Sequence, residues 1–273
     1  MSTFAAEVKQ GQRFEFGKNW QSFLSTLTDE RIKIAEASIK EMLRIDNLKG
    51  MTVLDIGSGS GLFSLAARNL GARICSFDYD PASVACTREL RSRYFANDPN
   101  WVVDEGSVLD QDFMKSLGSF DIVYSWGVLH HTGNMWIAID NAASVVKENG
   151  TLFIAIYNDT GIKSRFWRKV KQSYCSGILG KTSVSGIFIP YFFLRTLLSS
   201  LLKKKNEFSA YKKDRGMSIT HDWFDWLGGF PYEVATVEQV FQFLRDKEFL
   251  LQNIKTTNGL HNNQFVFVRK AIC

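Results

Sequence analysis

Val53-Leu54-Asp55-Ile56-Gly57-Ser58-Gly59-Ser60-Gly61 is the stretch of this chain whose residue types and spacing say most about chemistry. An apolar run ends in the carboxylate of Asp55 and opens into a loop with glycine at every second position. Leu62, Phe63, Leu65 and Ala66 then begin a helical pattern. Strand, glycine turn and helix together let a nucleotide-bearing ligand lie against bare backbone. A Cβ at Gly57 or Gly59 would block that approach. A pyrophosphate-binding turn reads G-x-G-x-x-G, whereas this loop reads G-x-G-x-G with Leu at position 62. A carboxylate at the strand end is a poor neighbour for a pyrophosphate. It suits a ligand that carries an ammonium and a single sulfonium charge.

Downstream landmarks fall in a consistent order. Ala72 to Phe77 reads as a second short strand ending in Asp78-Tyr79-Asp80-Pro81. Asp78 stands where a ribose-binding acid belongs, since a carboxylate accepts hydrogen bonds from both hydroxyls of a ribose edge. Tyr79 is placed to cover an adenine face, and Asp80 before Pro81 reads as a helix N-cap. Trp101-Val102-Val103 forms a third strand, followed by Ser107 and Val108. Phe120 to Trp126 forms a fourth, followed by Gly127-Val128-Leu129-His130-His131.

Over residues 45–157 these landmarks resemble the class I S-adenosylmethionine (SAM)-dependent methyltransferases, of the small-molecule type that serves quinone and natural-product biosynthesis. The resemblance implies SAM as cofactor, held by Asp55, Gly57, Ser58, Gly59, Asp78, Tyr79, Ser107, Val108 and Trp126. It also implies that the segment after the fourth strand faces the transferable methyl group and that the segment after the fifth builds the substrate pocket.

Methyl transfer to a hydroxyl needs a base, and a histidine with an unperturbed pKa of ~6.5 is suited to that work. His131 and His221 are the candidate catalytic residues, with His130 packing or orienting. His221 lies in the run His221-Asp222-Trp223-Phe224-Asp225-Trp226, where His221 and Asp225 share a helix face. Asp222, Trp223 and Asp225, with Trp20 of the N-terminal arm and Tyr157 at the end of strand five, are the expected substrate contacts. The same aromatic run also reads as a buried plug.

Alternating strands and helices with short connections imply an α/β fold: a doubly wound, mostly parallel seven-stranded sheet of Rossmann-like type. Residues 1–48 read as an N-terminal arm with a helix over 22–46, and 49–157 as the cofactor-binding core. A helix over 135–147 should stop at Asn149-Gly150. Residues 158–235 read as a helical insertion serving as substrate lid. Residues 236–273 supply a helix, opened by a capping-box pattern at Thr236, and two strands that complete the sheet.

The chain carries a net charge of +5 unevenly. Residues 161–215 hold thirteen Lys/Arg against two acids, a net of +11, which leaves −6 for the remainder. Such asymmetry fits an anionic partner: lipid, RNA or an acidic substrate. Within this segment residues 186–202 are strongly apolar and run into Lys203-Lys204-Lys205. That pattern fits either a lid helix over an apolar pocket or an interfacial helix on an anionic membrane. The four cysteines show no metal-ligand spacing, and no secretory signal is read in the first ten residues. The expectation is therefore a cytoplasmic enzyme that methylates a small, fairly apolar acceptor at oxygen, with a lipid-like acceptor and a peripheral place at the inner face of a membrane left open. Two alternatives stay open. One is an RNA or tRNA methyltransferase using the basic insertion, and the other a membrane-associated SAM-binding regulator without turnover.

Overall fold

The computed structural model describes residues 3–203 and 219–271, with Lys18 and residues 219–222 by their backbone alone. Seven strands form one sheet in the order β3-β2-β1-β4-β5-β7-β6. They are β1 Thr52–Ile56, β2 Arg73–Asp78, β3 Trp101–Glu105, β4 Phe120–Trp126, β5 Val146–Tyr157, β6 Phe249–Lys255 and β7 Asn262–Arg269. The first five run parallel, and β7 lies antiparallel between β5 and β6. The chain leaves β1 toward β2 and β3, then returns to β1's other side as β4. That reversal opens a crevice at the carboxyl ends of β1 and β4, where open α/β sheets bind ligands.

The two-residue period of the strands sorts the core onto two faces. Leu54, Ile56, Val123, Leu152, Ile154, Phe265 and Phe267 pack on one face with Ile139, Val240 and Leu244. The latter come from α7 (Met135–Ser144) and α11 (Val237–Arg245). Val53, Ile74, Trp101, Ile122, Tyr124, Phe153 and Val266 pack on the other with Ile39, Leu65 and Leu90. Those three belong to α3 (Asp29–Leu43), α4 (Leu62–Asn69) and α5 (Pro81–Tyr94). Both faces of the central strands are dry, as a sheet with helices on each side requires.

Three features differ from the sequence expectation. The helix placed at 22–46 is two helices, α2 (Gly17–Leu24) and α3, preceded by a short α1 (Phe4–Lys9). The helix expected to reach residue 147 ends at Ser144. Asn149-Gly150 lies inside β5, where Asn149 takes φ 58°. Val146 pairs with Phe120 but Thr151 pairs with Ile122, so residues 147–150 bulge out of register. The left-handed Asn serves a strand bulge here rather than a helix stop. The capping box at α11 is formed as read: Gln239 N–H donates to Thr236 Oγ1 (3.1 Å), and Thr236 N–H donates to Gln239 Oε1 (2.9 Å).

Residues 158–235 contain α8 (Ile162–Cys175), α9 (Ile178–Leu202) and α10 (Ile219–Gly228). They share a small core of Tyr174, Val184, Phe192 and Leu227, into which Phe14 of the N-terminal arm also reaches. A short α6 (Gln111–Ser116) follows β3, and a 3₁₀ turn (Leu129–His131) follows β4.

Leu54 is fully buried at the centre of the sheet, so Leu54→Ala should cost about 2–5 kcal/mol. Thr236→Ala, which removes only the cap, should cost about 1 kcal/mol. Denaturant unfolding of the two variants checks the ranking.

Candidate active site

The glycine loop is shaped by backbone geometry that side chains resist. Gly57, Gly59 and Gly61 take φ of 74°, 55° and 80°, in the left-handed region. Gly57 and Ser58 N–H both donate to the Phe77 carbonyl (2.8 and 3.1 Å), which lashes the loop to the end of β2. A Cβ on Gly57 would stand 2.4 Å from Val128 Cγ1, so the loop and the segment after β4 meet through bare backbone.

Asp78 closes this arrangement. Its Oδ2 accepts from Gly59 N–H (2.9 Å) and its Oδ1 from Asp80 N–H (2.9 Å). The Tyr79 backbone also bonds this carboxylate, and of the roughly four acceptor positions of an ionised carboxyl at least one remains. Burial pushes its pKa up to about 6. Asp55 is more deeply enclosed and faces α4. Its Oδ2 accepts from Ser64 Oγ–H (2.5 Å), Ser64 meets Ser76 (2.7 Å), and Trp101 Nε1–H donates to Ser76 (3.0 Å). Burial raises Asp55 to about 7. What the geometry gives Asp55 is the joint between loop and α4; contact with a ligand's ammonium is a proposal.

Asp80 does more than the expected capping. Its Oδ1 accepts from Ala82 N–H (2.9 Å) at the start of α5, while Oδ2 accepts from Gly17 N–H (2.8 Å). The N-terminal arm is thereby fixed over the cleft, and Trp20 lies 3.2 Å from where a Gly59 Cβ would stand. Tyr79, expected at an adenine face, lies beneath this arm: its hydroxyl donates to Glu7 Oε1 (3.2 Å), and Arg13 sits 5.0 Å from its ring centroid. Arg13, missed as a site residue, also pairs with Glu7 (2.7 Å) and donates to the carbonyls of His131 (2.8 Å) and Thr132 (3.3 Å).

On the adenine side of the expected cleft, Ser107 Oγ accepts from Leu109 N–H (3.2 Å). Val108 is buried and its carbonyl accepts from Asn141 Nδ2 (2.8 Å). The Val108 side chain thus belongs to the core, leaving its backbone for any ligand contact. Trp126 is exposed at the tip of β4.

His131 ends a single 3₁₀ turn after β4. Its Nδ1 lies 2.6 Å from the Pro231 carbonyl. A carbonyl only accepts, so Nδ1 carries the proton and Nε2 presents a lone pair. Burial depresses its pKa to about 3, well below the ~6.5 expected of the base, so the ring is an uncharged acceptor at neutral pH and a weaker base than the sequence implies. Phe16 and Tyr157 flank it at 5.2 and 5.5 Å. His130 is fully buried, accepts from Tyr157 N–H at Nδ1 (3.3 Å) and packs 4.0 Å from the Tyr157 ring.

Tyr157 continues into an aromatic wall with Tyr232 (5.2 Å) and Trp226 (6.0 Å). Trp226, rather than the expected Trp223, reaches this wall; Trp223 lies instead against Phe192 of α9 (5.9 Å). The two tryptophans stand three positions apart, turned by about 60° around the helix, which gives them different neighbours. Asp225 accepts from Asn19 Nδ2 and so ties α10 to the arm. The side chains of His221 and Asp222 lie outside the described residues.

Lys171, read in the sequence only as one of the insertion's charges, is buried in the same wall. Its Nζ donates to the Trp226 carbonyl and sits 4.1 Å from the Trp226 centroid and 5.1 Å from that of Tyr232. Burial lowers its pKa to about 7. The signal was available, because Lys171 shares the helical stripe of Trp167, Val170 and Tyr174, which marks it as inward-facing.

Folding raises the Asp55 pKa from 3.8 to about 7, so between those values the folded state holds a proton that the unfolded chain has lost. Asp55 therefore subtracts stability as pH rises through that window. Asp55→Asn removes this dependence, and its Tm relative to the parent should climb between pH 4 and pH 7 in thermal melts.

The residues present fit SAM. Asp78 offers acceptors for ribose hydroxyls and the loop offers bare backbone, while the paired burial of Asp55 and Asp78 favours a cationic ligand over a diphosphate. Comparison with known proteins agrees. The family model described as "Methyltransferase domain" matches residues 28–196. The ubiquinone biosynthesis O-methyltransferase of Pelagibacter ubique is 28% identical over 127 residues, 46% of this chain and 50% of that protein. The Xanthomonas campestris enzyme of the same name is 34% identical over 113 residues, 41% of this chain and 46% of its own length. The chain thus spans about half the length of the curated relatives it matches. Magnesium protoporphyrin IX methyltransferase from Synechocystis, solved with bound SAM, superposes with a TM-score of 0.53 at 13% identity, covering 88% of this chain and 79% of that one, a likeness of fold. With a family match over more than half its length, a sheet of the same fold and a glycine loop paired with Asp78, the chain belongs to the methyltransferase-domain family of class I SAM-dependent methyltransferases.

Proposed function

We propose that this protein transfers a methyl group from SAM to an oxygen of a small, fairly apolar, lipid-like acceptor. The observation that carries the reading is His131: a neutral imidazole pinned through Nδ1 to the Pro231 carbonyl, with Nε2 left as an acceptor beside an aromatic wall. Val128, three residues earlier, touches the glycine loop, so base and cofactor loop are held as one unit.

SAM supplies an electrophilic methyl on a sulfonium. Asp78 and the loop from Gly57 to Gly59 would hold the ribose and methionine portions, and Trp20 and the arm would cover them. Tyr157, Trp226 and Tyr232 would receive the acceptor, excluding water and aligning its oxygen. Alignment alone supplies a large part of the barrier reduction in a displacement of this kind. His131 Nε2 would take the hydroxyl proton as the oxygen attacks. His221, in the α10 segment of the chain, is assigned the supporting role. Lys171 would steady negative charge as it develops on the acceptor oxygen.

Two aspects of partner and place belong to the same proposal. The acceptor class partitions into lipid, which favours a cytoplasmic enzyme peripheral to a membrane. The basic insertion would also serve an RNA acceptor, and the assay below separates the two.

Methyl-labelled SAM incubated with fractionated cell lysate should place label in the organic extract. Label in RNA would favour the RNA reading, and SAM binding without label in any fraction would favour a regulator. His131→Ala should keep SAM affinity and lose about 10²–10⁴-fold in turnover; unchanged turnover would remove it from the role, and His221→Ala tests the second histidine separately. SAM affinity should fall as pH drops below about 6, because a protonated Asp78 loses acceptor capacity. Asp78→Asn should bind SAM weakly and show no such pH dependence in titration calorimetry.

A further inference from the structure

The methyl-transfer reading leaves one large surface unused. Helix α9 is 25 residues long, about 37 Å, and only Val184 and Phe192 on it are buried. These two, with Phe188, fasten one face of α9 to Trp167 and Tyr174 of α8. Ile187, Tyr191, Leu194, Leu198 and Leu201 recur at spacings of four and three and form a separate stripe. Their exposures are 66%, 52%, 56%, 59% and 66%, and Leu202 at the end is 84% exposed. Isolated exposed leucines are ordinary on a protein surface, but a continuous apolar stripe over four turns marks a contact site.

Charge identifies the partner. Among residues 178–202 there is no Asp or Glu, while Lys181 and Arg195 lie on the helix and Lys203-Lys204-Lys205 follow it. Arg195 and Lys203 thus line the same face as Tyr191, Leu194, Leu198 and Leu202, and in sequence residues 161–215 carry the chain's whole positive excess. An apolar face bounded by lysines suits a bilayer interface with anionic headgroups, where leucines enter the acyl boundary and ammonium groups meet phosphates. By length and composition the helix is also long and apolar enough to cross a membrane. Its packing on α8 argues against crossing: a helix fastened along one side to the domain would have to carry α8 into the hydrocarbon.

We propose that α9 docks this protein on an anionic membrane surface, lying in the interface with the Ile187–Leu202 stripe inserted. Binding is read without turnover, so its outcome is independent of the acceptor's identity.

The test is co-sedimentation of the full chain with vesicles of phosphatidylcholine, with and without phosphatidylglycerol. The expected result is capture by the anionic vesicles, at least about tenfold weaker for the neutral ones and weakened by salt. A variant with Leu194→Ser, Leu198→Ser and Leu201→Ser should lose at least about tenfold in vesicle affinity while keeping its SAM affinity. These leucines are exposed, so the fold does not depend on them. Charge reversal by Lys203→Glu, Lys204→Glu and Lys205→Glu should give a similar loss by a different route. Absence of vesicle binding, equal binding to neutral and anionic vesicles, or wild-type binding by the serine variant would each overturn the proposal. So would two alternatives that leave vesicles unbound: light scattering showing that the stripe holds a dimer together, or gel shifts showing that the lysines hold RNA.

Discussion

One hydrogen bond sets the terms for the site: the Gly59 amide donating to Asp78 Oδ2 across the ends of β1 and β2. It requires the two strands to be parallel neighbours in one register, with Ile56 level with Phe77, so that the loop after one reaches the acid after the other. It also requires glycine at 57 and 59, because the turn runs through left-handed backbone. A side chain at position 57 would strike Val128 and push the His130-His131 segment away. The glycine loop, Asp78 and the His130-His131 segment are therefore fixed by a single local geometry that the sheet order imposes.

Around that centre, carboxylates act as joints. Asp55 binds Ser64 of α4, and Asp80 binds both α5 and the arm. Burial of the Asp55 carboxylate is costly, as its raised pKa records, and the cost is consistent with a site shaped for a cationic ligand. Arg13 then straps the arm to the His131 and Thr132 carbonyls, while Asn19 ties it to Asp225 of α10. The N-terminal arm and the insertion meet over the crevice, although about two hundred residues separate Asn19 from Asp225 in the chain. Opening one would disturb the other.

The core was legible in the sequence because its signals are local. Glycine spacing, apolar strand runs and the Thr236/Gln239 capping box each depend on neighbours within a turn or two, the acid about twenty residues later on one strand–helix–strand unit, and each appears in the structure. Asn149-Gly150 was misread because a left-handed Asn looks alike before a helix stop and inside a bulge; only the β4–β5 register distinguishes them. The split of the first long helix at residues 25–28 left no glycine or proline to mark it. Tyr79 and Trp223 were misplaced for a different reason. The partners that claim them, Glu7 and Phe192, lie far away in sequence, and no periodicity reports which of two aromatics three residues apart turns inward. Lys171 was hidden by its charge, since a lysine is read as solvated until its apolar stripe is drawn.

Family membership rests on the core, and the proposed activity on what the arm and insertion do when cofactor is present. Hydrogen–deuterium exchange of the full chain, with and without S-adenosylhomocysteine, tests this most directly. The account predicts slowed exchange at residues 57–61, at 78–80 and in the arm over 13–20, all from one ligand. Unchanged exchange in the glycine loop and at Asp78, or protection confined to other segments, would contradict it.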